Sequence, residues 1–329
     1  MPLINRCGGG GGTPQLCGQV ENFKAGIDNL KVILSWTAPS PDEDNSFVGT
    51  RIVRKIGSAP TGINDGTVVY EGTALTYTDT GLTAGTTYYY RAFAYNAKKK
   101  YQTAYRVASQ AAIALNPNFA DNTWEHIIAA CQSDSVPDTW VAGDNKTMTI
   151  GGINYQFDIV GKNHDTYTAG GIAPLTFGLH DCYADTKQMN SSNTNSGGWT
   201  SCAMRSTHLP AILALMPTEV QNGIREVNKL TTEGNQIGTI NTTVDKLFTF
   251  SEMEVYGKVT YSYSGEGKQY DYYKAGNSKI KKVGNAAGQW WLRSPIAFAN
   301  SSFCVVNEGG ASKSSYASNP DGVCFGFCF

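Results

Sequence analysis

The sequence predicts a mainly β protein with short helices, an α+β chain of two domains, and three observations carry that reading. Between about residues 17 and 115, apolar and polar side chains alternate in short runs separated by turn residues, with no helical period among them. After Asn116 the texture changes, and short amphipathic helical stretches stand among strands and long loops. At 329 residues with 41% hydrophobic content, the chain has enough apolar material for two cores.

Residues 1–16, with the run Gly8 to Gly12, read as a flexible tether and show no apolar segment of the secretory type. In the first domain, "KVILSW" puts Val32, Leu34 and Trp36 on one face, and "TTYYYRAFAYN" does the same for Tyr88, Tyr90, Ala92 and Ala94. "TRIVRKIG", "TVVYEG" and "ALTYTDT" supply further strands, "TAPSPDEDNS" is a Pro-punctuated loop, and Lys98 to Lys100 form a solvated hairpin tip. Strands at this spacing without helices describe a β-sandwich over 17–115. Leu82, Gly85 and Tyr88 in "GLTAGTTYYYRAFAYN", with Trp36 upstream, resemble the E–F corner and strand-B Trp of the fibronectin type III domain, an immunoglobulin-like sandwich.

The second domain, 118–329, opens with "NTWEHIIAAC", a predicted helix with Trp124, Ile127, Ile128 and Cys131 on one face and Asn122 and Glu125 as capping box. "KTMTIGGINYQFDIVG" reads as a hairpin turning at Gly-Gly, and "CAMRSTHLPAILALMP" as a helical region broken at Pro210. "SEMEVYG" is a short helix with Ser251 and Glu254 as capping box and Gly257 as terminator. His180 to Gly198 and Tyr261 to Gly288 offer neither period, and loops of that length are functional or packed on themselves.

Composition excludes several functions. With 26 basic and 27 acidic residues there is no field to attract nucleic acid, and no stretch approaches the ~20 apolar residues of a membrane span. The eight cysteines are dispersed, no C-x-x-C or H-E-x-x-H occurs and the four histidines are isolated, so we expect reduced buried thiols, no metal and no cofactor. Cys7 and Cys17 are the one pair placed for a bridge, and His164-Asp165 reads as a hydrogen-bonded turn.

The C-terminal forty residues join a stiff "WWLRSP" to an apolar "GVCFGFCF" through a Ser-, Asn-, Ala- and Gly-rich middle without period. These ends, with "TWEHI", "FDIVGKNHD", "NTNSGGWTSCAMR", "KLFTFSEMEVYG", "GEGKQYDYY" and "GNSKIKK", resemble C-type-lectin-fold domains of phage and prophage tail proteins of gut bacteria. That fold is shared in outline with formylglycine-generating enzymes. Some such tail proteins are targets of diversity-generating retroelements, in which template adenines are miscopied. Asn codons changed at their two adenines give Ser, Ala, Gly, Val, Ile, Phe, Tyr or Asp, which populate Ile296 to Asp321, whereas Glu308 and Lys313 require other template codons or no mutagenesis at those positions.

The resemblance implies a rigid frame of Trp290, Trp291, Arg293, Pro295, Gly322 and Phe325, with Arg293 on backbone carbonyls or a carboxylate and "FGFCF" pairing with the domain's first strands. It implies a displayed ligand-binding face of Phe298, Asn300, Ser301, Phe303, Val305, Glu308, Ala311, Lys313, Ser314, Ser315, Tyr316, Asn319 and Asp321. Strand alternation then buries Cys304 and Val306 and turns Phe303 and Val305 outward; a one-residue shift of register would do the reverse. The expected function is receptor binding by a virion or prophage tail protein made in the bacterial cytoplasm. Its partner would be a protein or glycan on a bacterial surface, and a homo-oligomer is compatible with that role. Two alternatives stand beside it. One is a calcium-dependent lectin with a fixed site, for which "SNPDG" (Ser318 to Gly322) is the nearest motif. The other is a formylglycine-generating oxidase using Cys324 and Cys328, although sulfurs four residues apart on a regular strand lie ~13 Å apart, too far to bridge.

Overall fold

The computed structural model describes residues 18–28, 30–39, 47–103 and 109–329; the predicted tether and the Cys7 and Cys17 pair lie outside them. The chain divides into two compact units, 1–117 and 118–329.

The first unit contains β1 (Glu21–Asp28), β2 (Lys31–Thr37), β3 (Phe47–Ile56), β4 (Thr67–Gly72), β5 (Thr76–Asp79), β6 (Thr87–Asn96) and β7 (Ser109–Ile113). They form two antiparallel sheets, β1-β2-β5 and β4-β3-β6-β7. Val32, Leu34 and Trp36 from β2 meet Tyr88, Tyr90, Ala92 and Ala94 from β6 in one core, as the period of two requires. At the turn into β6 the backbone N–H of Thr83 donates to Tyr88 Oη at 3.0 Å, the hydrogen bond of a tyrosine corner, over a buried Leu82. This is a fibronectin type III-like β-sandwich. Lys98 to Lys100 are exposed, as a solvated tip requires, and the Lys99 ammonium lies 2.5 Å from Glu71 Oε1 and 3.7 Å from the centre of the Tyr95 ring.

The second unit begins with a turn of 3-10 helix at Phe119–Asp121, then α1 (Trp124–Gln132), β8 (Asn145–Ile150), β9 (Ile153–Lys162) and β10 (Leu175–Leu179). There follow α2 (Gly198–Ser201), a π-turn at Met204–His208, α3 (Leu209–Leu213), α4 (Thr218–Gly223), β11 (Val227–Gly234), β12 (Ile237–Asp245) and β13 (Phe248–Thr249). Then come α5 (Glu252–Tyr256), α6 (Asp271–Lys274), β14 (Lys281–Val283), β15 (Ala286–Gly288), β16 (Trp290–Pro295), β17 (Ser302–Val306), β18 (Ser312–Tyr316) and β19 (Phe325–Cys328). The organising sheet runs β13-β19-β10-β9-β8, and a separate three-stranded sheet runs β16-β17-β18. Among the described residues no helix is long and apolar enough to cross a membrane.

Four local expectations are corrected. Thr123, not Asn122, caps α1, its hydroxyl accepting from His126 N at 3.2 Å. Pro210 opens α3 rather than breaking a helix, since a first-turn proline forfeits no hydrogen bond. The stretch Tyr261 to Gly288 holds α6 and the β14–β15 hairpin, elements too short to show a period. β19 pairs with β10, the third strand of this unit, and with β13, rather than with β8 or β9; Gly326 and Gly178 face each other there and leave room for the Phe250 ring. A Cβ at Gly178 would lie 2.7 Å, and one at Gly326 3.1 Å, from Phe250 Cζ. The capping box of α5 is present, with Ser251 and Glu254 bonding each other's backbone and Gly257 ending the helix at φ +69°.

Candidate ligand surface

The ends of the C-terminal segment are anchored by indole, guanidinium and ring contacts. Trp290 and Trp291 have no exposed area, and their Nε1 atoms donate to Lys279 O at 3.0 Å and Lys187 O at 2.7 Å. Phe325 meets Phe157 edge-on at 5.8 Å, Pro295 is buried, and Gly322 passes so close to Cys182 Sγ that a Cβ would sit 2.8 Å from it. Arg293 is wholly buried and satisfied by both groups the sequence suggested. It forks onto Glu254 at 2.6 and 2.7 Å and donates to the carbonyls of Leu230, Thr249 and Glu266.

Around Glu254 lies a chain of opposite charges. Lys229 Nζ stands 2.6 Å from Glu254 Oε1 and 2.7 Å from Asp165 Oδ1, inside the domain. Burial pushes both carboxyls up, but Arg293 and Lys229 beside Glu254, and Lys229 and His164 beside Asp165, outweigh it and hold both below the ordinary carboxylate range. Glu266 goes the other way. Burial pushes its carboxyl up and Arg293 offsets only part of the shift.

Between the anchors, the structure corrects the displayed face. Phe303 and Val305 are core residues, and so are Cys304 and Val306. Neither choice of strand parity describes β17. It is the middle strand of its sheet and is covered on both faces, so alternation sorts its side chains between two buried sides. Ser315, opposite Phe303, is buried as well, and Asp321 is half-buried, with burial pushing its carboxyl up.

The outer set is smaller. Phe298 is 64% and Tyr316 56% exposed, and Asn300, Glu308, Ala311, Lys313, Ser314 and Asn319 are exposed too; Ser301 is half-exposed. Phe298 and Tyr316 belong to one end of the sheet, where Ala317 N donates to Ser301 O at 2.9 Å, and Glu308 and Ala311 belong to the turn at the other end. β18, the edge strand, carries Lys313 and Ser314 between them.

Three side chains that sequence reasoning did not assign hold this segment in place. Buried Asn195 donates to the carbonyls of Ala299 and Ser302 at 2.9 and 2.8 Å and accepts from Asn235 N. Glu252, buried in α5, accepts from Ser312 Oγ at 2.5 Å and from the backbone of Tyr261 and Ser262; burial raises its pKa but these donors outweigh it and hold it low. Exposed Asn193 accepts from the N–H and hydroxyl of Ser318. Asn193 and Asn195 lie in "SNTNSGGW", where two Asn before a Gly pair signalled a structured turn without saying what it grips.

Chemistry in the metal and thiol classes finds little geometry. Among the described residues no group of three or more His, Cys, Asp or Glu is placed to hold a metal ion, and the described cysteines are free and buried. Cys324 Sγ faces Leu179 O at 3.4 Å, whereas Cys328 Sγ faces Thr176 Oγ1 at 3.4 Å and Asp165 at 3.8 Å, so the two thiols sit in different surroundings.

Residues 176–328 match a family described as a domain of unknown function (DUF6273). No curated protein matches the chain. Solved structures similar to part of it include a fibronectin type III domain of the human KIAA0970 protein, 18% identical, covering 33% of this chain and 88% of that one at a TM-score of 0.25. The FN5 domain of Drosophila Lar is 17% identical over 30% of this chain and 98% of that one, at 0.21. The spore cortex lytic enzyme SleM of Clostridium perfringens is 16% identical over 31% of this chain and 29% of its own, at 0.22. The sandwich of the first unit stands on its strand order, its core and the Tyr88 corner.

Proposed function

We propose that residues 118–329 form a C-type-lectin-like binding module that presents a replaceable surface near its C-terminus, with the sandwich as spacer. One observation carries the reading. Asn300, Glu308, Lys313, Ser314 and Tyr316 are exposed and make no side-chain hydrogen bond or ion pair among the described residues, while their backbone is held by Asn195, Glu252 and the β16–β17–β18 ladder. Substitution at such positions costs little stability, so the frame tolerates change where a ligand would touch. Phe298, its ring tilted against Tyr261 at 6.1 Å yet largely exposed, and Tyr316 supply large contact area at low entropic cost among small polar neighbours.

The partner is a protein or glycan receptor on a bacterial cell, and the chain serves as a tail-associated adhesin of a phage or prophage whose C-terminal segment a retroelement diversifies. A near-copy of the C-terminal coding segment beside a reverse transcriptase gene supports the diversification; absence of any such copy from the genome sinks it. The binding role is tested on whole bacterial cells with the full chain and its Phe298→Ala/Tyr316→Ala variant. Loss of binding at unchanged melting temperature is expected, and retention of full binding overturns the assignment. The fixed-lectin reading predicts binding that calcium chelation abolishes; the proposed surface binds without calcium. "SNPDG" is a turn pinned by Asn193, which favours the calcium-free reading.

A further inference from the structure

Lys229, Asp165 and Glu254 meet in the interior with at most 4% of any of the three side chains exposed. The Lys229 ammonium lies 4.1 Å from the centre of the Phe248 ring and 5.3 Å from that of Tyr270. The two oxygens of Asp165 are held differently. Oδ1 faces Lys229 Nζ at 2.7 Å, while Oδ2 accepts from the hydroxyls of Thr176 at 2.6 Å and Tyr270 at 2.8 Å. Glu254 touches the same nitrogen at 2.6 Å and is held there by Arg293. An amine, a carboxyl, a second carboxylate on the amine and two hydroxyl donors on the far oxygen are the groups that an amide condensation requires.

We propose that Lys229 and Asp165 condense into an intramolecular amide, covalently joining β11 to the turn after β9. The ion pair is the resting form, and a buried, low-dielectric site narrows its advantage over the neutral pair. A proton passes from the ammonium to Oδ1, leaving amine and carboxylic acid. The Nζ lone pair then bonds to Cγ, and the carbonyl electron pair moves onto Oδ2, where the Thr176 and Tyr270 hydroxyls meet the developing charge. Glu254 takes a proton from Nζ and returns it to Oδ1, whose bond to Cγ breaks. Oδ1 leaves as water, the carbonyl re-forms at Oδ2, and one hydrogen stays on the amide nitrogen. Asp165, Lys229 and Glu254 line a cleft of about 320 Å³, into which the water departs. The bridge closes a loop between partners 64 residues apart, restricting the unfolded chain as any long-range cross-link does.

The test is mass spectrometry of the denatured full chain, and it does not depend on what the surface binds. The expected intact mass is one water below that of the sequence. Trypsin should yield the peptide 163–187 joined to 226–246, with Lys229 uncut. Lys229→Arg, which keeps the cation but cannot form this amide, should show the full mass; should that variant not fold, the peptide map of the parent decides alone. A full intact mass overturns the proposal. So does a water lost elsewhere, as at Asp65-Gly66 or Asp321-Gly322, with Lys229 still cleaved.

Discussion

The guanidinium of Arg293 grips the carboxylate of Glu254 with two parallel hydrogen bonds of 2.6 and 2.7 Å, and neither side chain has appreciable contact with solvent. The pair ties "WWLRSP" to α5 at the point where the C-terminal segment enters the domain. Arg293 also holds carbonyls of β11 and β13, so one side chain fastens three elements. Arg293→Met leaves Glu254 with less compensation and the carbonyls unpaired, and should cost about 3–5 kcal/mol. Urea denaturation of the residue 118–329 fragment measures it; a loss below about 1 kcal/mol would show that the pair does not hold the frame.

Glu254 titrates lower in the folded chain than in the unfolded one, so its contribution is present above the ordinary carboxylate range and is lost as pH falls toward its folded value. Glu266 has the opposite sign. Its raised pKa gives a contribution that is present at low pH and lost as pH rises through the folded value. At neutral pH, Glu254→Gln should therefore lower the melting temperature, whereas Glu266→Gln should leave it unchanged or raise it. Equal losses from both would contradict the assignment.

Trp291 fills the base of the segment and donates to Lys187 O. Its replacement by Ala leaves a cavity and an unpaired carbonyl, with an expected cost of about 3–5 kcal/mol by thermal or chemical unfolding. A soluble Trp291→Ala variant with the parent's melting temperature and no binding would make Trp291 a contact residue instead.

Phe298 and Phe303 lie five positions apart and should behave oppositely. Phe298→Ala changes an exposed ring and should shift stability by no more than about 0.5 kcal/mol. Phe303→Ala empties the core and should cost about 3–5 kcal/mol. Circular dichroism melts of the two variants separate display from packing.

Limited proteolysis of the full chain should release a stable fragment beginning near Asn118, where the two compact units divide. Unfolding of that fragment once freed, seen as collapse of its amide dispersion, would mean that the units need each other.

The period of two in "KVILSW" and "TYYYRAFA" was enough to place Trp36 and Tyr90 in one core, because a half-buried strand writes its facing into its own side chains. Caps were equally local, and Ser251 and Glu254 announced α5 within four residues. Pro210 and Asn122 misled for a related reason. A proline is tolerated in a first turn, and the N-cap was one residue further on, so each error was a matter of position within a correctly recognised helix.

What the sequence by itself determined was the mainly β character, the place where the texture changes, and the burial of the aromatic ends of the last forty residues. Only the tertiary structure decided which side chains between those ends face outward. Alternation presumes one wet face, and β17, flanked by β16 and β18 and covered on both sides, has none, so Phe303 and Val305 could not be told from display residues. It also decided the partners of the buried charges, since Asp165, Lys229, Glu254 and Arg293 come from four distant segments. Their attraction is strong only where folding has removed water, and no local pattern records that.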